Sequence, residues 1–167
     1  MISSIKIEKM HSDDWAAVRA IYLEGIATGH ATFQKEAPSW EEWDLGHDAE
    51  CRIVARLEGD VTGWAALSPV SSRSVYAGVG EVSVYVSQKH NGKGIGSLLL
   101  KSLIELSEQS GFWTLQSSIF PENEGSIKLH KNQGFREMGR RERIGKMDGV
   151  WRDTIILERR SRIVGNN

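Results

Sequence analysis

Glu81-Val82-Ser83-Val84-Tyr85-Val86-Ser87-Gln88-Lys89-His90-Asn91-Gly92-Lys93-Gly94-Ile95-Gly96-Ser97 is the stretch on which the fold turns. Val82, Val84 and Val86 alternate with Glu81, Ser83 and Tyr85, the period-two pattern of a strand. Beyond Ser97, the residues Leu98, Leu99, Leu103 and Leu106 recur at helical spacing, which predicts a long helix with one apolar stripe, ended by Gly111. Between strand and helix lie glycines at three alternate positions. Glycine admits backbone conformations that turn several N–H groups in one direction. The helix N-terminus adds roughly half a positive charge. Strand, glycine turn and helix together make a cradle for phosphate or pyrophosphate, with Lys93 as a nearby cation. A plain strand-to-helix turn would not need three glycines.

Two common phosphate loops do not fit. The kinase-type loop ends in Gly-Lys-Ser/Thr, whereas Gly96 is followed by Ser97 and Leu98. The dinucleotide turn runs Gly-x-Gly-x-x-Gly near a chain start, with an acidic residue on the next strand. Here the glycines run Gly-x-Gly-x-Gly past the middle of the chain.

On the N-terminal side, residues 5–8 read as a first strand. Ser12 or Asp13 can cap a helix that carries Trp15, Val18, Ile21 and Tyr22 on one face. Ser39 with Glu42 forms a capping box after Pro38. Residues 52–57 and 61–67 flank Glu58-Gly59-Asp60 as a hairpin, and a serine-rich loop spans 69–80. On the C-terminal side, 113–119 is a strand. Residues 126–131 form a short helix closed by Gly134 in the left-handed conformation. Strands within 135–147 and 150–158 meet at Asp148-Gly149. A polar tail, residues 161–167, is expected to be mobile. Strands arrive both as hairpins and across helices. The fold expected is therefore α/β (α+β): one domain over residues 1–160, with a mixed, mostly antiparallel sheet between helices on both faces.

The chain of 167 residues suits one domain with a sizeable core. Its net charge of −1 creates no global field to recruit nucleic acid or membrane. Cys51 is the single cysteine, so no internal disulfide forms, and its apolar run makes it structural. Nothing in the spacing suggests a metal cluster. Met1-Ile2-Ser3-Ser4-Ile5-Lys6 lacks the apolar stretch of a leader, and no segment approaches the ~20 apolar residues of a membrane span. The cytoplasm is the compartment expected.

Asn91-Gly92-Lys93-Gly94-Ile95-Gly96 resembles the coenzyme A pyrophosphate loop of the GNAT N-acetyltransferases, usually Arg or Gln, two residues, Gly, one residue, Gly or Ala. Asn91 departs from the first position of that pattern. Asn123 and then Ser126-Ile127-Lys128-Leu129-His130-Lys131-Asn132-Gln133-Gly134-Phe135 resemble the family's later signature, a helix beside the pantetheine arm ending in Gly-Phe. The resemblance covers nearly the whole chain. It is nearest to the phosphinothricin and methionine sulfoximine/sulfone acetyltransferases, through Ile21-Tyr22, Ala31-Thr32-Phe33, the strand from Glu81, and Gly145-Lys146, Gly149, Trp151 and Asp153.

The resemblance implies acetyl-coenzyme A as cosubstrate, a primary amine as acceptor, and a homodimer. Residues Gly92, Lys93, Gly94, Ile95, Gly96 and Ser97 would cradle the pyrophosphate, while Asn123 and Ser126 would lie along the pantetheine. A backbone N–H near Val84, Tyr85 and Val86 would face the thioester oxygen, where fixed donors are worth ~2.7–4 kcal/mol in other enzymes. Glu81 matches the branch's base position. An alkylammonium cannot attack until it loses a proton, and a positioned base contributes ~10²–10⁴-fold. An ordinary carboxylate is a poor match for an amine, so Glu81 needs burial, a relayed water, or both. His130 stands where many relatives carry a proton-donating Tyr; donation and a structural hydrogen bond both remain open. Arg73 can hold an acceptor carboxylate in a bidentate pair, with Phe33 and Tyr76 walling the pocket. The residues also leave open a protein or peptide N-terminal acetyltransferase and a non-catalytic acetyl-coenzyme A sensor.

Overall fold

The computed structural model describes residues 4–167, so the leader reading at Met1-Ile2-Ser3 lies outside the described residues. Seven strands are formed: β1 (Ile5–Lys9), β2 (Arg52–Leu57), β3 (Asp60–Pro69), β4 (Val79–Val86), β5 (Thr114–Ile119), β6 (Arg136–Met147) and β7 (Val150–Arg160). Four helices accompany them: α1 (Trp15–Thr28), α2 (Trp40–Gly46), α3 (Ile95–Gln109) and α4 (Glu124–Asn132). The strands make one sheet in the order β1-β2-β3-β4-β5-β7-β6. Only β4 and β5 pair parallel; every other neighbour is antiparallel.

The hairpins follow their turn residues. Glu58 and Gly59 hold φ of 52° and 87° between β2 and β3, and Asp148 and Gly149 hold 49° and 80° between β6 and β7. Two successive left-handed residues match the twist of the flanking strands. At the start of α2, Ser39 Oγ accepts from the Glu42 N–H and Glu42 Oε1 accepts from the Ser39 N–H, each at 3.2 Å, as the capping box requires. The start of α1 differs from expectation. Residues 12–14 form a 3-10 turn, and neither Ser12 nor Asp13 acts as the cap. Asp14 takes the N-cap position of α1 without a side-chain cap bond; its Oδ2 accepts instead from the His11 N–H at 2.9 Å, and its Oδ1 accepts from Arg56 Nη2 at 2.7 Å. The Arg56 guanidinium pairs with the buried Asp14 carboxylate and fixes the entry to the helix.

One face of the sheet is covered by α3, through Ile95, Leu99, Leu100, Leu103 and Ile104, packed with Leu67, Val82, Leu115 and Leu157. Leu98 and Leu106 of the expected stripe are only half-buried. The helix lies in the curve of the sheet and buries a wider face than one stripe. The other face carries α1 and α2 over an aromatic group in which Trp64 stacks on Tyr85 at 5.0 Å and Trp43 is fully buried. Cys51 is buried too, which pushes its thiol up to about 11 and leaves it inert.

Polar contacts join the C-terminal tail to the end of the sheet. Strand β7 runs on to Arg160, and Ser161 is buried with its Oγ donating to Glu108 Oε2 at 2.7 Å. Arg160 donates to the Val164 and Gly165 carbonyls, each at 2.8 Å. A guanidinium that gathers several carbonyls can order a short polar segment without an apolar anchor. In β6 the register slips between Arg141 and Gly145, with Arg143 at φ 46°. Asp153 pins this bulge, accepting from the Arg143 N–H and from Arg140 Nε, both at 2.7 Å. Among the described residues, no helix is long and apolar enough to cross a membrane.

Candidate active site

Strands β4 and β5 pair over only three residues each, Val79–Glu81 against Thr114–Gln116. Past that point β4 continues to Val86 and β5 to Ile119 with no ladder between them. The sheet opens there, and a cavity of about 940 Å³ occupies the gap. Glu81 stands near the start of the splayed part of β4, roughly 17 Å from Val86 at ~3.3 Å per residue, and the glycine turn lies beyond that end.

At the turn, Gly92 and Gly94 hold φ of 78° and 79°, values that an L side chain seldom adopts. Gly94 is the N-cap of α3, with no side-chain cap and no acidic residue in the first turn. By contrast, Ser39 caps α2 and Asn123 caps α4. The N–H groups of Ile95, Gly96 and Ser97 therefore have no partner within the helix, and all three residues line the cavity. A Cβ on Gly96 would come within 3.3 Å of Leu129 Cδ2, so glycine lets α4 close against the start of α3. This arrangement fits a pyrophosphate. Lys93 is exposed beside the turn and is not part of the cavity wall. Asn91 turns its amide to Gln88 Oε1 at 3.1 Å, so it is engaged within its own turn. Glu24 on α1 accepts from the Gln88 N–H at 2.8 Å and holds the turn from the far side, a contact that sequence reasoning missed.

Val84, Tyr85 and Val86 line the middle of the cavity. Burial raises the Tyr85 phenol well above its ordinary range, so it stays neutral. Glu81 is half-buried and in register with Gln116, whose Nε2 donates to Glu81 Oε1 at 3.3 Å. That contact orients the carboxylate and leaves its second oxygen without a protein partner among the described residues.

His130 is buried against Phe135, with rings 5.1 Å apart. Its Nδ1 lies 2.7 Å from the Ser126 carbonyl, which can only accept, so Nδ1 carries the hydrogen. Nε2 then presents a lone pair, buried and without a protein partner. Burial holds this imidazole below its ordinary range, the Ser126 bond acting in the opposite sense. In this neutral form His130 can accept a hydrogen bond but has no proton to give from Nε2. Asn123 caps α4 through Ser126 N at 3.3 Å, and its Nδ2 donates to the His30 carbonyl at 3.3 Å. Asn123, Ser126 and His130 all line the cavity.

Phe33 also lines the cavity and meets Phe120 edge-on at 4.8 Å. A Cβ on Gly145 would approach the Phe33 ring to 3.0 Å, so β6 needs its glycine there. Arg73 and Tyr76 are not brought to this wall. Both are exposed on the loop before β4, with the Arg73 guanidinium 5.4 Å from the Tyr76 ring. Phe120, Glu122 and His30 do line the cavity and were not singled out from the sequence. Glu122 had a usable signal, since it directly precedes Asn123. Among the described residues, no three His, Cys, Asp or Glu side chains converge to hold a metal ion.

The sequence matches the Acetyltransferase (GNAT) family over residues 10–135. It is similar to the phosphinothricin N-acetyltransferase of Streptomyces viridochromogenes, 32% identical over 159 residues, with 93% of this chain and 87% of that protein covered. It is also similar to the L-methionine sulfoximine/L-methionine sulfone acetyltransferase of Pseudomonas paraeruginosa, 27% identical over 151 residues, covering 87% and 88%. Among solved structures, a GNAT superfamily phosphinothricin acetyltransferase from Sinorhizobium meliloti in complex with AcCoA aligns with a TM-score of 0.87 at 29% identity, covering 98% of this chain and 92% of that one.

Proposed function

The chain belongs to the GNAT acetyltransferase family, and from that premise we propose that it acetylates the primary amine of a small amino-acid-like acceptor of the phosphinothricin or methionine sulfoximine/sulfone type. The observation that carries the reading is a single cavity joining the Glu81 carboxylate to the three open N–H groups of α3 through the gap between β4 and β5.

Acetyl-coenzyme A supplies the acetyl group as an activated thioester. The turn from Gly92 to Ser97 holds its pyrophosphate through backbone N–H groups and the α3 dipole. The main chain of Val84 to Val86 is free of β5 and faces the gap, where an N–H can meet the thioester oxygen. Glu81, steadied by Gln116, takes the ammonium proton directly or through one water. His130 serves as a hydrogen-bond acceptor beside the pantetheine, not as the acid, because its remaining nitrogen carries a lone pair. Phe33 walls the acceptor side chain. The compartment proposed is the cytoplasm.

The proposed assembly is a homodimer. The β6–β7 hairpin leaves Met138, Ile144, Val150 and Trp151 exposed, a density of apolar side chains that suits a protein partner. Arg73 and Tyr76 keep their part as acceptor-binding residues of the assembled protein. Sedimentation at micromolar concentration is expected to give the mass of two chains; a monomer alone would refute the assembly.

The activity is tested by free-thiol release from acetyl-coenzyme A with phosphinothricin, methionine sulfoximine, methionine sulfone and a short peptide bearing a free N-terminal alanine. Turnover of the amino-acid analogues is expected. Turnover of the peptide alone would turn the reading to an N-terminal acetyltransferase. Cofactor binding with no turnover of any amine would make the protein a sensor.

A further inference from the structure

Arg152 of β7 gathers the segments that bound the acceptor end of the cavity. Its Nη1 donates to the Gly29 carbonyl at 3.0 Å and lies 3.4 Å from Met147 Sδ. Its Nη2 donates to His30 Nδ1 at 3.0 Å and to Glu122 Oε1 at 3.1 Å. The guanidinium carbon sits 4.1 Å from the centre of the Phe120 ring. The side chain is only 12% exposed. Gly29 and His30 belong to the loop after α1, Glu122 and Phe120 to the segment before α4. His30, Glu122 and Phe120 line the cavity, as does Phe33, which leans on Phe120. One side chain thus joins two loops to β7 at the point where the acceptor would enter.

The chemistry of these contacts is specific. A guanidinium only donates, so His30 Nδ1 accepts and the His30 hydrogen sits on Nε2. A planar fork can serve a carbonyl, an imidazole and a carboxylate at once, which an ammonium cannot. Arg152 also offsets the charge of Glu122. Without it, this end of the cavity would present two unpaired carboxylates, Glu81 and Glu122, to an acceptor that itself carries an anion.

We infer that Arg152 is a positioning residue for the acceptor: it holds residues 29–33 and Glu122 against Phe120, and so sets affinity for the amine and not for acetyl-coenzyme A. The kinetic part of this inference rests on the proposed acetyl transfer; the structural part does not.

The test therefore has two readouts on Arg152→Met, which keeps the length and apolar stem. The first is hydrogen–deuterium exchange with no substrate present. Exchange over residues 28–34 and 120–122 should quicken by about tenfold, the scale of losing charge-assisted hydrogen bonds, while β4, α3 and α4 stay as in wild type. The second is the Michaelis constant. That for methionine sulfone should rise by about tenfold, with that for acetyl-coenzyme A within about twofold. Arg152→Lys should fall between, since it restores the charge but not the fork. If Arg152→Met does not fold, His30→Ala with Glu122→Gln removes two exposed partners and should quicken the same exchange. Unchanged exchange in both variants would overturn the inference, and so would an equal rise in both Michaelis constants. A wild type that acetylates no amine would sink the proposed function instead, with the exchange result still deciding the clamp.

Discussion

Replacing Gly94 by Asp is expected to remove acetyl-coenzyme A binding while the fold persists. Gly94 holds φ 79° at the N-cap of α3, and the three N–H groups behind it are the anion site. A carboxylate there does two things. It can accept from those N–H groups itself, and it repels a pyrophosphate. A pair of like charges about 4 Å apart in a surface environment costs ~4 kcal/mol, so affinity should fall by about 10²–10³-fold. Stability should move little. The positive φ costs on the order of 1–2 kcal/mol for an L residue, and a carboxylate near a helix N-terminus returns about 0.3–1 kcal/mol. Gly94→Asn supplies the control, with the same shape and backbone demand but no charge. Calorimetry should show Asn weakening binding far less than Asp. Equal losses would mean that shape, not charge, closes the cradle; unchanged affinity in Gly94→Asp would remove the turn from cofactor binding.

The parts of this site that could be read from the chain are those encoded locally. The alternation from Glu81 to Val86, the glycines at 92, 94 and 96, and the leucines beyond them each sit within a few residues of their structural partners. The same holds for Glu58-Gly59 and Asp148-Gly149, whose positive φ values make the hairpins. What could not be read depends on which strands become neighbours. Gln116 meets Glu81 only because β4 and β5 pair in that register. Glu24 reaches the Gln88 N–H only because α1 crosses the end of β4, and nothing near either residue signals it. Arg152 looks like one more charge on a polar hairpin until the loop after α1 folds over it. The contacts of the tail were illegible for a related reason. Polar composition indicates little apolar burial, but it says nothing about a guanidinium collecting carbonyls. Arg73 and Tyr76 have the chemistry to bind an acceptor carboxylate and side chain, but in the single chain their loop stands apart from the cavity wall.

Glu81→Gln should lower turnover by about 10²–10⁴-fold at neutral pH, the usual contribution of a positioned base, with acetyl-coenzyme A affinity unchanged. The substitution is well matched to the site. Gln116 Nε2 now donates to Glu81 Oε1, and an amide oxygen at the same place can accept that bond, so orientation survives while basicity is lost. The pH dependence carries the decision. At low pH nearly every acceptor amine arrives as ammonium and must give up a proton within the site. As pH rises, a growing fraction arrives neutral and needs no base. The deficit of Glu81→Gln relative to wild type should therefore be largest at low pH and shrink steadily as the acceptor's own amine deprotonates in solution. A role in binding the ammonium would raise the Michaelis constant for the amine and leave turnover less affected. A role in positioning alone would give a deficit of the same size at every pH. Equal turnover of variant and wild type at neutral pH would take Glu81 out of the chemistry altogether. The proton would then have to leave through water held by the main chain of the splayed strand, since His130, although its Nε2 is free to accept, is held neutral by burial and disfavours the charge it would gain.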